Sequence, residues 1–167
     1  MKRKAVFAGS FDPFTLAHFD LVRRSVSLFD ELVVLVGVNR QKRSLLTVER
    51  RKRQIDEALA EFPNVSVDAF DGLTVDYLKR VGAKFLVRGV RSPSEFDTER
   101  NLAWNNLRLY PEAETVFLPV APEYSSISSS AVREILSFGG DVSGMLPQNI
   151  YNDLCHGDLP DVRTEAL

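Results

Sequence analysis

Cys155 is the only cysteine, so the chain can form no internal disulfide and no multi-cysteine metal site, and a reducing compartment is the simpler setting. It is also a poor candidate nucleophile, because it falls in a late polar segment far from every phosphate-like motif. No apolar run approaches the ~20 residues needed to cross a bilayer. The basic start, Met1 to Lys4, is followed by an apolar stretch too short for a signal sequence, so a cytoplasmic protein is expected. Neither charge sign dominates: 21 Lys plus Arg stand against 23 Asp plus Glu, a net charge of −2. This gives no global pull toward nucleic acid or an anionic membrane, and any phosphate site must be local. Two fingerprints are missing as well. Without Gly-x-Gly-x-x-Gly a dinucleotide-binding oxidoreductase is disfavoured, and without Gly-Lys-Ser/Thr so is an ordinary kinase or GTPase. There is no repeat, no low-complexity segment and no linker. The 167 residues make one domain, expected over residues 1–156, with residues 157–167 a polar, flexible tail.

What is present is an alternation. The apolar run 5–8 precedes a polar loop and then Phe19, Val22, Val26 and Phe29 at helical spacing. Residues 32–38 are a near-continuous β-branched run, the pattern of a strand covered on both faces. A polar loop over 39–46 leads to Thr47, which caps a helix expected to run to about Phe62. A strand over 65–70, a turn at Asp71 and Gly72, a short helix over 75–81 and a strand over 85–87 follow, the last ending in Arg88-Gly89-Val90-Arg91. Pro93 or Ser94 opens a helix through Leu109, Pro111 ends it, and residues 115–118 form another strand. Residues 119–126 are a loop, Ser128 to Ser130 start a helix that Gly139 and Gly140 stop, and a last helix follows Pro147. The fold class is therefore α/β, a doubly wound, Rossmann-like parallel sheet with helices on both faces, where ligands bind outside the carboxyl ends of the strands.

The polar motifs all follow strands and so are expected in one crevice. In the first, residues 9–18, Gly9 lets backbone approach a ligand, Ser10 offers a hydroxyl, Thr15 caps the helix and His18 falls in its first turn, where free N–H groups favour anions. A histidine there is, taken alone, a structural or surface residue; Gly9, Ser10 and Thr15 beside it make a phosphate site the better reading. Arg40, Lys42 and Arg43 form a basic set after a central strand, a solvated loop unless it meets a phosphate. Two arginines one Gly-x pair apart after a buried strand, Arg88 and Arg91, are hard to explain by packing. Three serines at a helix start exceed what capping needs and suit phosphate oxygens.

The pattern Gly-Ser-Phe-Asp-Pro, Thr15, His18 and Asp20, with Arg88-Gly89-Val90-Arg91 and the serine-rich stretch 124–130, resembles the phosphopantetheine adenylyltransferase family of nucleotidyltransferases, over roughly residues 4–155. One position departs: Ala17 stands where the family has Gly, adding a methyl where the triphosphate is expected to come close, with slightly weaker or shifted nucleotide binding as the consequence. The resemblance implies transfer of the adenylyl group of ATP to 4′-phosphopantetheine, giving dephospho-coenzyme A and pyrophosphate by in-line attack without a covalent intermediate. It implies catalytic roles for His18, Lys42 and Arg91. It assigns ATP binding to Ser10, Phe11, His18, Gly89, Val90, Arg91, Glu99, Tyr124, Ser125, Ser126, Ile127, Ser128, Ser129 and Ser130, and acceptor binding to Ser10, Lys42, Thr74 and Arg88. It further implies Mg²⁺ carried by ATP, a homohexamer, and feedback binding of coenzyme A, with no nucleic acid or membrane partner.

Two other readings compete. A nucleotidyltransferase acting on nicotinamide mononucleotide or glycerol phosphate shares the first motif, and the Arg88, Arg91 and Lys42 set argues against it. A non-catalytic nucleotide sensor, which Ala17 keeps open, predicts ATP binding without turnover.

Overall fold

Five parallel strands and six helices alternate along the chain, in a computed structural model that describes residues 2–38 and 44–157. They run β1 (Lys4–Gly9), α1 (Leu16–Ser25), β2 (Glu31–Gly37), α2 (Val48–Ala58), β3 (Val65–Phe70), α3 (Thr74–Val81), β4 (Phe85–Val90), α4 (Pro93–Leu109), β5 (Glu114–Pro119), a 3₁₀ turn (Pro122–Tyr124), α5 (Ser129–Ser137) and α6 (Gln148–His156). The strand order is β3-β2-β1-β4-β5 and every pairing is parallel. The chain winds outward from β1 to β3, then crosses back to place β4 on the other side of β1. That reversal leaves a crevice between the carboxyl ends of β1 and β4.

Period-2 alternation divides the core between the sheet's faces. Ala5, Phe7, Leu32, Val34, Val67 and Val87 pack with Leu21 and Val22 of α1, Ile55 of α2, Val132 of α5 and Ile150 and Leu154 of α6. Val6, Ala8, Val33, Leu35 and Leu86 pack on the other face with Tyr77 and Leu78 of α3. None of the 17 residues of α4 is buried, although this helix also lies along the sheet.

Expected elements shift at three boundaries. α2 stops at Ala58 rather than near Phe62, its cap Leu59 leaving helical backbone at φ −104° and ψ 10°; Phe62 still reaches the Phe19 ring at 5.9 Å. β4 continues past Val87, where the expected strand ended, so Arg88, Gly89 and Val90 pair with Phe117, Leu118 and Pro119. β5 likewise takes in Pro119, which an edge strand tolerates. Lys42, with Arg40 and Arg43, lies outside the described residues, as does the tail from 158 onward.

Candidate active site

Thr15 fixes the first functional side chain. As the N-cap of α1 it leaves its backbone N–H unpaired within the helix, and the Nδ1 atom of His18, three residues on, accepts that N–H at 3.0 Å. The reciprocal contact, His18 N–H to Thr15 Oγ1 at 3.5 Å, completes a capping box in which histidine stands where glutamate or glutamine is usual. Because Nδ1 accepts, the neutral ring carries its proton on Nε2. Phe7, Phe11 and Phe14 surround the ring at centroid distances of 6.2, 5.1 and 5.4 Å. Burial among them, with the charges of Arg91 and Arg88 added, pushes the His18 pKa down to about 3. His18 is therefore a neutral hydrogen-bond donor at physiological pH.

The ring opens into a cavity of about 210 Å³ at the β1/β4 crevice, lined by Gly9, Ser10 and Phe11 after β1, by Arg88, Gly89 and Arg91 at the end of β4, by Glu95 and Glu99 of α4, and by Ser129 of α5. Two of its glycines are there for packing. A Cβ on Gly9 would lie 2.8 Å from the Phe11 ring, and one on Gly89 would collide with Leu21 Cδ1. Each arginine is paired to one acid of α4, and the two acids sit one helical turn apart. Arg88 holds Glu99 through Nε and Nη2, at 2.7 and 2.6 Å, and donates Nη1 to the Ala8 carbonyl at 2.6 Å. Arg91 donates its backbone N–H to Glu95 Oε2 at 2.6 Å, Nη1 to Oε1 at 3.0 Å, and Nη2 to the Ile127 carbonyl at 3.2 Å.

A second cavity, of about 150 Å³, shares Ala8, Arg88 and Glu99 with the first. Its other walls are Thr74 at the start of α3, Leu86 and Thr115 of the sheet, and Leu102, Ala103 and Asn106 of α4. The Arg88–Glu99 pair is thus a partition between a polar chamber beside His18 and a less charged one beyond it.

Of the expected site residues, Ser10, Phe11, His18, Arg88, Gly89, Arg91, Glu99 and Ser129 come together in the first cavity, and Thr74 joins Arg88 and Glu99 in the second. Val90 does not line the first cavity; its carbonyl accepts from Val120 N–H at 2.9 Å. Ile127 contributes through its carbonyl to Arg91. The serines divide their tasks: Ser125 Oγ donates to the Pro122 carbonyl, Ser128 caps α5 by accepting from Ala131 N–H, Ser129 Oγ donates to the Pro13 carbonyl, and Ser130 Oγ accepts from Arg133. Tyr124 closes the 3₁₀ turn, its carbonyl accepting from Ile127 N–H, and Tyr124 and Ser126 stand outside the first cavity's lining. Ala17 corrects an expectation. It is 1% exposed and lines neither cavity, so its methyl packs into the core rather than toward either space.

Sequence reading missed Glu95, Leu102, Ala103, Asn106 and Thr115. Only Glu95 had a local signal, three residues after the α4 cap Ser92, whose hydroxyl accepts from Glu95 N–H. Among the described residues no three His, Cys, Asp or Glu side chains stand close enough to hold a metal ion, and Glu95 and Glu99 are taken by arginines. No helix of the described residues is long and apolar enough to cross a membrane.

Residues 6–135 match the cytidylyltransferase-like family model. A phosphopantetheine adenylyltransferase from Flavobacterium psychrophilum is 46% identical over 148 residues, covering 89% of this chain and 97% of that protein. Another, from Cyanothece sp., is 48% identical over 162 residues, 96% of each. Among solved structures, a bifunctional NMN adenylyltransferase/ADP ribose pyrophosphatase from Francisella tularensis superposes with a TM-score of 0.72 at 16% identity, over 93% of this chain and 49% of that one, a likeness of fold.

Proposed function

The chain belongs to the phosphopantetheine adenylyltransferases within the cytidylyltransferase-like family, and from that premise we propose how its two cavities divide the reaction. The enzyme transfers the adenylyl group of ATP to 4′-phosphopantetheine, giving dephospho-coenzyme A and pyrophosphate, the penultimate step of coenzyme A synthesis. ATP takes the cavity beside His18, and the pantetheine arm takes the cavity beyond Arg88. The observation that carries this division is that Arg88 and Glu99 line both spaces. A cation on that partition meets the acceptor phosphate where the two ligands touch.

The acceptor is a phosphate monoester with a second pKa of about 6, already largely dianionic at neutral pH, so no general base is required. One of its oxygens attacks the α-phosphorus in line, and the bond from that phosphorus to the bridging oxygen of pyrophosphate breaks. What remains for the protein is placement and charge stabilisation. His18 donates Nε2–H to an α-phosphate oxygen. A neutral donor in a partly desolvated site strengthens as charge builds, without a proton changing hands. Arg91, anchored by Glu95 and by the loop before α5, takes the ATP phosphates, and Ser129 at the start of α5 faces the leaving pyrophosphate. On the family resemblance alone, Lys42 binds the incoming phosphate, and residues 124–128 with Ser130 border the nucleotide.

Mg²⁺ carried by the triphosphate would offset its charge there; the described residues offer it no cage of their own. Self-association into the hexamer of the family is supported by α4, where Leu102, Trp104, Leu107 and Leu109 are exposed. Dephospho-coenzyme A and coenzyme A both keep the pantetheine arm and would compete for the second cavity. A cytoplasmic setting suits the exposed, unpaired thiol of Cys155.

The test is pyrophosphate release from ATP and Mg²⁺ with 4′-phosphopantetheine, beside nicotinamide mononucleotide and glycerol phosphate. Turnover with the pantetheine acceptor alone is expected. ATP binding with no turnover on any acceptor would return the sensor reading, although burial of the Ala17 methyl removes its original ground.

A further inference from the structure

Three of the four carbonyls of residues 10–13 are held by side chains from α2 and α5. Arg51 Nη1 donates to the Ser10 carbonyl at 2.6 Å, Arg133 Nη1 to that of Asp12 at 2.7 Å, and Ser129 Oγ to that of Pro13 at 2.8 Å. Between the first two lies Phe11, a non-glycine residue at φ +48°. Such backbone costs free energy and persists only where its surroundings over-determine it. Phe11 is also the edge-on neighbour of the His18 ring, at 5.1 Å and 82° between planes.

Arg51 is the unusual member of this set. It is 3% exposed, it lines neither cavity, and its close partners are main-chain carbonyls, that of Ser10 and, at 3.4 Å, that of Thr47 at the cap of α2. Desolvation lowers its pKa, opposed by the nearby Asp12 and Glu49 carboxylates. A cation buried this way is costly unless its donors are well used. Here one donor holds the Ser10 carbonyl, with its partial negative charge, on a side chain that lines neither cavity.

We propose that Arg51 is a positioning residue for adenylyl transfer, holding the Ser10 carbonyl and left-handed Phe11 so that Ser10 and the His18 ring meet the ATP phosphates. The proposal rests on the first cavity being the ATP site. A bland alternative is that Arg51 merely fastens α2 to the domain, in which case its loss lowers stability and harms both ligands alike.

Calorimetric titration of the full chain separates the two, with ATP and with 4′-phosphopantetheine, for wild type, Arg51→Met, Arg51→Lys and Ile55→Val. The last is a core change on the same helix that lowers stability while leaving the Arg51 hydrogen bonds in place. Arg51→Met is expected to weaken ATP about tenfold and the acceptor, which meets this loop through Ser10 alone, less than about threefold, Arg51→Lys to weaken ATP about threefold, and Ile55→Val to melt lower with ATP affinity intact. ATP affinity within about twofold of wild type in Arg51→Met, or equal losses for both ligands that track melting temperature across all variants, overturns the proposal. If Arg51→Met does not fold, Arg51→Lys decides: ATP weakened more than the acceptor supports it, and unchanged ATP overturns it. A wild type that binds ATP yet transfers to no pantetheine acceptor overturns the activity and leaves these ATP titrations decisive for Arg51.

Discussion

Arg88 and Glu99 meet in a two-point pair, Nε to Oε2 at 2.7 Å and Nη2 to Oε1 at 2.6 Å, across the gap between β4 and α4. The Glu99 side chain is 13% exposed, so its carboxylate orients the guanidinium in a place that water reaches poorly. Glu99→Ala should leave Arg88 with only the Ala8 carbonyl to direct it. The expected result is a rise of about tenfold in the acceptor KM, with a stability loss of about 1–3 kcal/mol. Initial rates with each substrate varied in turn, and a denaturant melt, check this. An unchanged acceptor KM would show that the partition is not where the acceptor phosphate rests.

His18 should report on pH through stability rather than through catalysis. Its folded pKa, about 3, lies below the ordinary value of 6.5. Above pH 6.5 neither the folded nor the unfolded ring is protonated, and the group contributes nothing to pH dependence. Below it the unfolded chain takes up a proton that the folded chain refuses, so stability falls as pH drops from 6.5 toward 3. From pH 7 to 5 that loss is about 2 kcal/mol for this one group. Denaturant melts of wild type and His18→Gln should therefore diverge by that amount across the interval, and the wild-type ring should show no NMR titration down to pH 5. At pH 7.5 the same variant should lose about 10²–10³ in kcat, the size expected for removing one donor to a developing charge.

How far these features could be read from sequence depended on their range along the chain. Thr15, Thr47 and Ser128 cap helices through contacts three residues away, and Arg88 and Arg91 follow the short apolar run 85–87; both signals are local and both were legible. Arg51 reaches Ser10 over 41 residues and Arg133 reaches Asp12 over 121, and no periodicity announces such contacts. Nothing in the sequence marks Asn106 and Leu102, because their cavity forms only when α4 lies along the sheet. Ala17 misled for a geometric reason. Successive helical residues point about 100° apart, so a His18 that faces the cavity turns the preceding side chain into the core.

Asp12 ties the histidine loop to the segment entering α2. Its carboxylate, buried, accepts the Leu45 and Leu46 N–H groups at 2.8 and 2.9 Å. Asp12→Ala strands two donors with little water to replace the lost acceptor, at a cost of about 2–4 kcal/mol. Asp12→Asn keeps one acceptor oxygen and should recover roughly half of that. Urea melts at pH 7.5 measure both. Equal stability of the two variants would mean that solvent reaches these amides after all.

The second cavity makes a prediction about what the acceptor must carry. Ala103 sits in its wall on α4 and is only partly buried, so Ala103→Leu adds three carbons to the chamber while costing less than about 1 kcal/mol of stability. If the pantetheine arm lies there, the acceptor KM should rise at least about tenfold and the ATP KM stay within about twofold, because the first cavity is untouched. A short alkyl phosphate supplies the nucleophilic oxygen without the arm. It should turn over slowly in wild type, since binding energy from remote parts of a substrate is what places the reacting group. It should then turn over just as slowly in Ala103→Leu, there being no arm to obstruct. An equal penalty on both acceptors would put the obstruction at the Arg88–Glu99 partition itself and move the arm elsewhere on the surface.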